Sequence, residues 1–168
     1  FGPLGPEAGS YRVGPVARLA VCRRIGTPRA DSRLARFKVE PSLARVEAQH
    51  EARLIEMLAA FERIELMLDD PDLVGPLSAP PRRLVRQRGV GAGEAPRGLL
   101  LHDYTVDADG RLQDVNLIIA TSQNATALNA ALTSVARSFS AAQLGDERAL
   151  RQLESVVHAF DPCLSCAT

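Results

Sequence analysis

The chain has 168 residues, of which 46% are hydrophobic, 24% are charged and only 4% are aromatic, with no Trp. These proportions predict a globular chain, one domain or part of a larger one, with a core built mainly from aliphatic residues. Twenty basic residues balance twenty acidic residues, so net charge gives no electrostatic reason to expect nucleic acid as a partner. Because no apolar run reaches 18 residues, we expect no membrane span, and we expect no signal peptide.

The first 41 residues are predicted to be irregular apart from one short helix. Gly and Pro dominate the opening stretch FGPLGPEAGS, and residues 18–25 give no clear signal for helix or strand. Thr27 and Pro28 then indicate a helix start, with Thr as N-cap and Pro in the first turn. We expect this helix to end near Pro41.

Residues 42–70 carry the strongest helix signal, because neither Gly nor Pro occurs from Leu43 to Leu68. The helix is expected to pack in a bundle and to be covered on more than one side. Its main face is predicted to consist of Leu54, Met57, Leu58, Phe61, Ile64, Glu65 and Leu68. Ala48, Ala52, Ile55, Ala59, Ala60 and Leu66 widen this apolar surface. Pro71 ends the helix.

Residues 71–97 are predicted to form a loop, since Pro and Gly recur along this segment. It contains a run of basic residues, and runs of charge usually face water. We therefore favour a solvated loop over a partner-binding patch for Arg82, Arg83, Arg86 and Arg88.

Residues 98–119 predict a β-hairpin, because Asp109-Gly110 separates two β-prone runs. Two helices follow, at residues 125–139 and 146–159, where apolar residues recur at helical spacing. The predicted fold class is mainly α with one β-hairpin.

The three cysteines, Cys22, Cys163 and Cys166, form a sparse, odd set that is typical of a reducing compartment rather than of a disulfide framework. The pair Cys163-x-x-Cys166 can supply half of a metal site, since thiolates suit zinc, nickel, copper and iron. A structural zinc site needs four ligands, and no second pair has the required spacing. A redox pair and incidental buried cysteines are the two alternatives that spacing alone leaves open.

Several motifs taken together resemble those of nickel–iron hydrogenase large subunits. The stretch FDPCLSCAT, residues 160–168, resembles the family's C-terminal ligand motif D-P-C-x-x-C. EAPRG at 94–98, L-x-H-x-x-x-V-D-x-x-G at 100–110 and NLIIATSQN at 116–124 are similar to its preceding segments, in the same order. YRVGPVARL at 11–19 and RLIEML at 53–58 resemble the cytoplasmic, NAD(P)-linked bidirectional branch.

The resemblance implies a role for each residue of the terminal motif. Cys163 would be a terminal nickel thiolate, and Cys166 a thiolate that bridges nickel and iron. Arg97 would lie over the open side of the metal pair, held by the carboxylate of Asp161. Without the motif, Arg97 would be read as a surface residue and Asp161 as a turn residue.

The resemblance also implies a pocket for the iron-bound CO and CN⁻ ligands. Ala95 and Pro96 would line it, and Thr121 would donate a hydrogen bond to a cyanide. Glu94 and His102 would lie farther from the metals. In the absence of the motif, Thr121 is an ordinary turn hydroxyl and His102 a packing residue.

The implied activity is reversible oxidation of H₂ in a cytoplasmic enzyme. Electrons would pass through iron–sulfur clusters of a small subunit to NAD(P), by way of diaphorase subunits. Maturation proteins and a C-terminal endopeptidase would process the large subunit, and a magnesium or iron ion would occupy a C-terminal site. The alternative is a non-catalytic metal-binding or hydrogen-sensing module that uses the same cysteine pair.

The chain departs from the family pattern in two ways. The family's second cysteine pair and its proton-transferring glutamate, both near the amino terminus, are absent. The sequence also stops at Thr168, one residue before the expected His. We therefore expect residues 1–168 to be the C-terminal piece of a single larger domain.

Overall fold

The computed structural model describes residues 5, 9–39, 45–76 and 86–166. Within these described ranges, from residue 9 onward, three helices precede a three-stranded sheet and two helices follow it. In chain order these are α1 (Pro15–Val21), α2 (Pro28–Val39), α3 (Ala48–Leu68), β1 (Arg88–Ala95), β2 (Gly98–Val106), β3 (Leu112–Ile118), α4 (Ala120–Ala136) and α5 (Glu147–Phe160), with 3₁₀ turns at Pro71–Val74 and Leu164–Cys166. The predicted fold class is confirmed, and the hairpin is extended by one strand.

The core of the amino-terminal half lies between α1, α2 and α3. Its buried members are Val16, Leu19, Ala30, Leu34, Phe37, Ala48, Ala52, Ile55 and Ala59. Helix α2 begins at Pro28, as predicted. The first N–H groups of a helix lack partners within it, and here those of Arg29 and Ala30 donate to the Glu62 carboxylate of α3, each at 2.9 Å.

Helix α3 differs from its prediction in its start and in its buried face. It begins at Ala48 rather than at residue 42; residues 45–47 form a turn, and 40–44 lie outside the described residues. Most of the predicted main face is exposed, namely Leu54, Met57, Phe61, Ile64 and Leu68. The buried face carries smaller residues such as Ala52 and Ala59, which allow α1 and α2 to approach closely. Periodicity cannot decide which of two apolar faces is covered.

The predicted hairpin is confirmed as the antiparallel pair β2–β3. Its turn is fixed by Asp107, whose Oδ1 accepts hydrogen bonds from the N–H groups of Asp109 and Arg111, both at 2.9 Å. Gly110 has a φ of +80°, which Gly adopts without strain.

The prediction of a continuous loop over 71–97 is wrong, because residues 88–95 form β1, which pairs antiparallel with β2. Gly89, Gly91 and Gly93 suggested a linker, but the ladder of backbone hydrogen bonds needs no side chain. Arg88 is exposed and binds Asp103 at 2.6 Å; Arg82 and Arg83 lie outside the described residues. The tight β1–β2 turn presents the Glu94–Gly98 segment.

Helix α4 begins at Ala120, five residues before the predicted start at 125, so Thr121 lies in its first turn rather than in a loop. Helix α5 matches its predicted span of 146–159 to within one residue at each end. Within the part of the chain that the structure describes, every helix is too short or too polar to cross a bilayer.

Candidate metal centre

The turn that carries the cysteine pair begins where α5 ends. Asp161 caps the helix with a φ of +49°, and among the described residues it alone has a positive φ without being Gly. This left-handed conformation reverses the chain after the helix, and Asp adopts it more readily than most residues. Pro162 and the cysteine turn therefore leave the helix in a fixed direction.

The sulfur atoms of Cys163 and Cys166 are adjacent and joined as a disulfide, with the two Cα atoms 5.3 Å apart. Cys163 is half-buried and Cys166 is exposed. In the reduced state, a pair this close can bind one metal atom through both thiolates. The described residues contain no group of three or more His, Cys, Asp or Glu that could hold a metal. The two cysteines could therefore supply at most part of a ligand set.

Arg97 is bound to the residue that opens this turn. Its Nε donates to the backbone oxygen of Asp161 at 2.6 Å, and its Nη2 donates to the Asp161 carboxylate at 3.0 Å. Two contacts to one residue fix the plane of the guanidinium as well as its position. The guanidinium of Arg97 is thereby bound to the residue two positions before Cys163. The resemblance implied this contact between Arg97 and the Asp161 carboxylate.

Thr121, at the start of α4, also contacts the cysteine turn. Its hydroxyl oxygen accepts a hydrogen bond from the backbone N–H of Cys163 at 3.0 Å. A hydroxyl that accepts in this way keeps its own proton to donate elsewhere. The first turn of α4 is therefore joined to the cysteine turn.

Ala95 and Pro96 are held by Arg18, a residue that the sequence analysis did not single out. Its guanidinium donates to their carbonyl oxygens at 2.9 and 3.1 Å and also binds the carboxylates of Glu56 and Glu94. These contacts raise the pKa of Arg18, with the hydrogen bond to Glu56 as the largest cause. Each member lies in a stretch that resembles the family, at 11–19, 53–58 and 94–98, but nothing local in the sequence shows that the three stretches meet.

Of two further titratable residues, Arg53 lies near the Arg97–Asp161 pair, whereas His102 contacts a neighbour within the sheet. Arg53 of α3 is half-buried; burial lowers its pKa, the Asp161 carboxylate opposes that shift, and Arg97 adds to it. It is thus a second cation near the Arg97–Asp161 pair. His102 lies on β2, where its Nδ1 is 3.1 Å from the Tyr104 hydroxyl. The structure gives His102 a contact within the sheet rather than with the cysteine turn.

Residues 7–168 match the family model described as nickel-dependent hydrogenase. The chain is 40% identical to the beta subunit of the NAD-reducing hydrogenase HoxS of Cupriavidus necator, an alignment that covers 98% of this chain and 35% of that protein. It is 38% identical to one component of the F420-non-reducing hydrogenase of Methanothermobacter marburgensis, over 98% of this chain and 36% of the relative. The chain thus spans about a third of the length of these relatives.

The structural comparison agrees with the sequence comparison. A crystal structure of an NAD⁺-reducing nickel–iron hydrogenase in the H₂-reduced state superposes with a TM-score of 0.90 and 43% identity, over 100% of this chain and 38% of that one. A nickel–iron–selenium hydrogenase from Desulfovibrio vulgaris Hildenborough superposes at a TM-score of 0.64 with 22% identity, which shows similarity of fold alone. On the family match and these identities, the chain belongs to the nickel-dependent hydrogenase family.

Proposed function

We propose that the chain is the C-terminal part of the catalytic large subunit of a nickel–iron hydrogenase, which oxidises H₂ reversibly to protons and electrons. The observation that carries the proposal is the convergence of the Arg97–Asp161 pair and the Thr121 hydroxyl on the cysteine turn. These groups come from the β1–β2 turn, the end of α5 and the start of α4. Family membership then supports nickel as the metal of this turn.

The residues present fit half of a nickel–iron centre. Cys163 and Cys166 would both be ligands of the centre, as the resemblance implies, and their adjacent sulfur atoms are compatible with binding to one metal. The other thiolates would come from a part of the natural protein outside this chain, because relatives are about three times as long. When bound, the centre would supply the heterolytic cleavage of H₂.

The chain's own groups would orient and stabilise the reacting atoms. Arg97 supplies a fixed cation, and a fixed charge stabilises developing negative charge without reorganisation. Asp161 sets the plane of that cation. Thr121 would donate a hydrogen bond to a cyanide ligand, in a pocket for CO and CN⁻ that Ala95 and Pro96 would line.

The exposed stripe of α3, defined as Leu54, Met57, Phe61, Ile64 and Leu68, supports the assignment to a larger protein. Exposed contiguous apolar surface usually marks an interface. Other segments of the large subunit would cover it, and they would also exclude water from the Arg97–Asp161 pair. That pair is about 40% exposed in this chain, and removing water would strengthen it.

The proposal extends to partners and location. Electrons would leave through the iron–sulfur clusters of a small subunit, and they would reach NAD(P) through diaphorase subunits. The name of the Cupriavidus necator relative, an NAD-reducing hydrogenase, supports NAD as the acceptor. The complex would be cytoplasmic. Maturation proteins and a C-terminal endopeptidase would act on the large subunit, and a magnesium or iron ion would bind at its C-terminal site.

The test is metal analysis and infrared spectroscopy of the natural complex that contains this chain, combined with H₂-dependent reduction of a viologen dye. We expect nickel, iron, the CO and CN⁻ stretching bands and dye reduction. Zinc without those bands would contradict the proposal. Retained bands with almost no turnover would favour the hydrogen-sensing alternative over the enzyme.

A further inference from the structure

We propose that Arg18 is a positioning residue for Arg97 and holds rigid the β1–β2 turn that carries it. The inference rests on the hydrogenase function proposed above, because it takes Arg97 as the cation of the metal centre. Arg18 lies on α1, and its side chain is 22% exposed. It lies within the stretch at 11–19 that resembles the family, but that resemblance assigns it no role.

The contacts of Arg18 are made to the residues just before Arg97. Its Nη1 donates to the carbonyl oxygen of Ala95 at 2.9 Å, and its Nη2 donates to that of Pro96 at 3.1 Å. Nη1 also donates to the Glu94 carboxylate at 2.6 Å. One side chain therefore holds two consecutive backbone carbonyls and the carboxylate just before them, which restricts the backbone on which Arg97 is carried.

The clamp is anchored to the long helix. Glu56 of α3 accepts two hydrogen bonds from Arg18, from Nε and from Nη2, both at 2.7 Å. Together with the three contacts to the turn, these use all five N–H donors of the guanidinium. A Lys at position 18 keeps the charge, but its single nitrogen cannot span acceptors on both sides. The geometry therefore requires the fork of Arg, beyond its positive charge.

A second set of contacts holds the other side of the turn. A Cβ atom on Gly14 would lie 2.7 Å from the carbonyl oxygen of Arg97, and one on Gly98 would lie 2.5 Å from Val13 Cγ2. Asn124 in turn binds the backbone of Val13, accepting from its N–H at 2.9 Å and donating to its carbonyl at 3.2 Å. The segment that begins α1 thus packs directly against Arg97 and is tied to α4.

These contacts define how Arg18 acts. All its donors are engaged, so its effect on the reaction is exerted through the position of Arg97. A misplacement of about 1 Å at a reacting centre can cost about 100-fold in rate. Loss of the clamp should therefore slow turnover while the metals stay bound, because Arg18 makes none of the contacts of Cys163 or Thr121 described above.

The test is a double-mutant cycle in the natural complex, with Arg18→Gln, Arg18→Lys and Arg97→Lys, read by kcat, nickel content and amide hydrogen exchange. We expect Arg18→Gln to lower kcat about 100-fold and Arg18→Lys about 10-fold, with nickel retained. The backbone amides of residues 94, 95, 97 and 98 should exchange faster in both. In the Arg97→Lys background, Arg18→Gln should cost only about threefold more, since coupled residues are not additive. Arg23→Gln, an exposed position beyond α1, is the control and should match the parent.

The outcomes separate this inference from the function on which it rests. Unchanged exchange at 94–98, or a full additional loss of kcat in the Arg97→Lys background, would overturn the positioning role. If Arg18→Gln loses nickel, the kcat and amide exchange of Arg18→Lys are compared with those of the parent instead. Loss of nickel in both variants would show a folding role and overturn the inference. A parent complex without nickel would refute the proposed function, and the exchange measurement would still test the clamp.

Discussion

The backbone N–H of Cys163 donates a hydrogen bond to the hydroxyl of Thr121 at 3.0 Å, although 42 positions separate the two residues. This contact joins the start of α4 to the turn that follows α5. Any shift of α4 relative to α5 would therefore move the candidate ligand turn. The bond is central to the account because Thr121 serves the turn as an acceptor and keeps a proton for a second partner.

Replacement of Thr121 by Val should lower the free energy of unfolding by about 1 kcal/mol, because a half-buried N–H loses its acceptor while the side-chain shape is kept. Thr121→Ser retains the hydroxyl and should lose less. Thermal unfolding of the two variants in the natural complex gives the comparison. A Val variant as stable as the parent would show that the hydrogen bond from the Cys163 N–H does not contribute to stability.

Arg97→Lys should lower kcat for H₂ oxidation about 100-fold, since a single ammonium cannot reproduce the oriented cation. Asp161→Asn should cost less, because Arg97 Nε still binds the backbone oxygen at position 161 and the amide oxygen can replace the carboxylate. Asn also tolerates the left-handed φ of +49°, which Ala does not.

The kinetics of dye reduction by Arg97→Lys, Asp161→Asn and Asp161→Ala would rank these contributions. We expect Asp161→Ala to be the less active of the two Asp161 variants. An Asn variant that is slower than Arg97→Lys would contradict the view that Asp161 acts by orienting the guanidinium.

Gly14→Ala should impair activity through Arg97, because the new Cβ would meet the Arg97 carbonyl oxygen at 2.7 Å. Gly26 provides a matched control, with a φ of +96° against +106° at Gly14 but no atom within 4 Å of its would-be Cβ. Both Ala variants should lose about 1–3 kcal/mol of stability to backbone strain. Only Gly14→Ala should lose kcat, and equal kinetics for the two would refute the contact as a support of Arg97.

Glu62 should make stability depend on pH. Burial alone would raise its pKa, but hydrogen bonds from the N–H groups of Arg29 and Ala30 hold the pKa below its usual 4.5. A carboxylate with a lowered folded-state pKa stabilises the fold above its unfolded-state pKa and loses that contribution as pH falls through the folded-state value.

The difference in thermal stability between the parent and Glu62→Gln should therefore be constant near neutral pH and shrink below about pH 4.5. Glu65→Gln, at an exposed position one turn further along α3, is the control and should show no such trend. A difference that grows as the pH falls would mean that the folded-state pKa of Glu62 is raised.

The sequence predicts elements that depend on neighbouring residues better than elements that depend on contacts between residues far apart in the chain. The β2–β3 hairpin is predicted because Asp107–Gly110 encode their own turn, and α5 is predicted because its apolar periodicity is regular. The start of α4 at Ala120 is missed, since Thr121, Gln123 and Asn124 resemble loop residues by composition. They are instead satisfied by contacts from other elements, such as that of Gln123 Nε2 with the Leu99 carbonyl at 2.6 Å.

The candidate site shows the same division. The motif around Cys163 indicates which residues lie next to it in sequence, and the family resemblance supplies Arg97 and Thr121. Arg18 is missed because its acceptors lie 38 to 78 positions away, beyond any local pattern. The buried face of α3 is misassigned because small residues pack inward when neighbouring helices are close.

Nickel content of the natural complex is the measurement that tests the role of the cysteine turn most directly. Cys163→Ser and Cys166→Ser should each lose nickel, because a hydroxyl is a poor replacement for a soft thiolate. Cys22→Ser, at the end of α1 and outside the turn, should keep it. Full nickel occupancy in either Cys163→Ser or Cys166→Ser would contradict the assignment of that sulfur as a metal ligand.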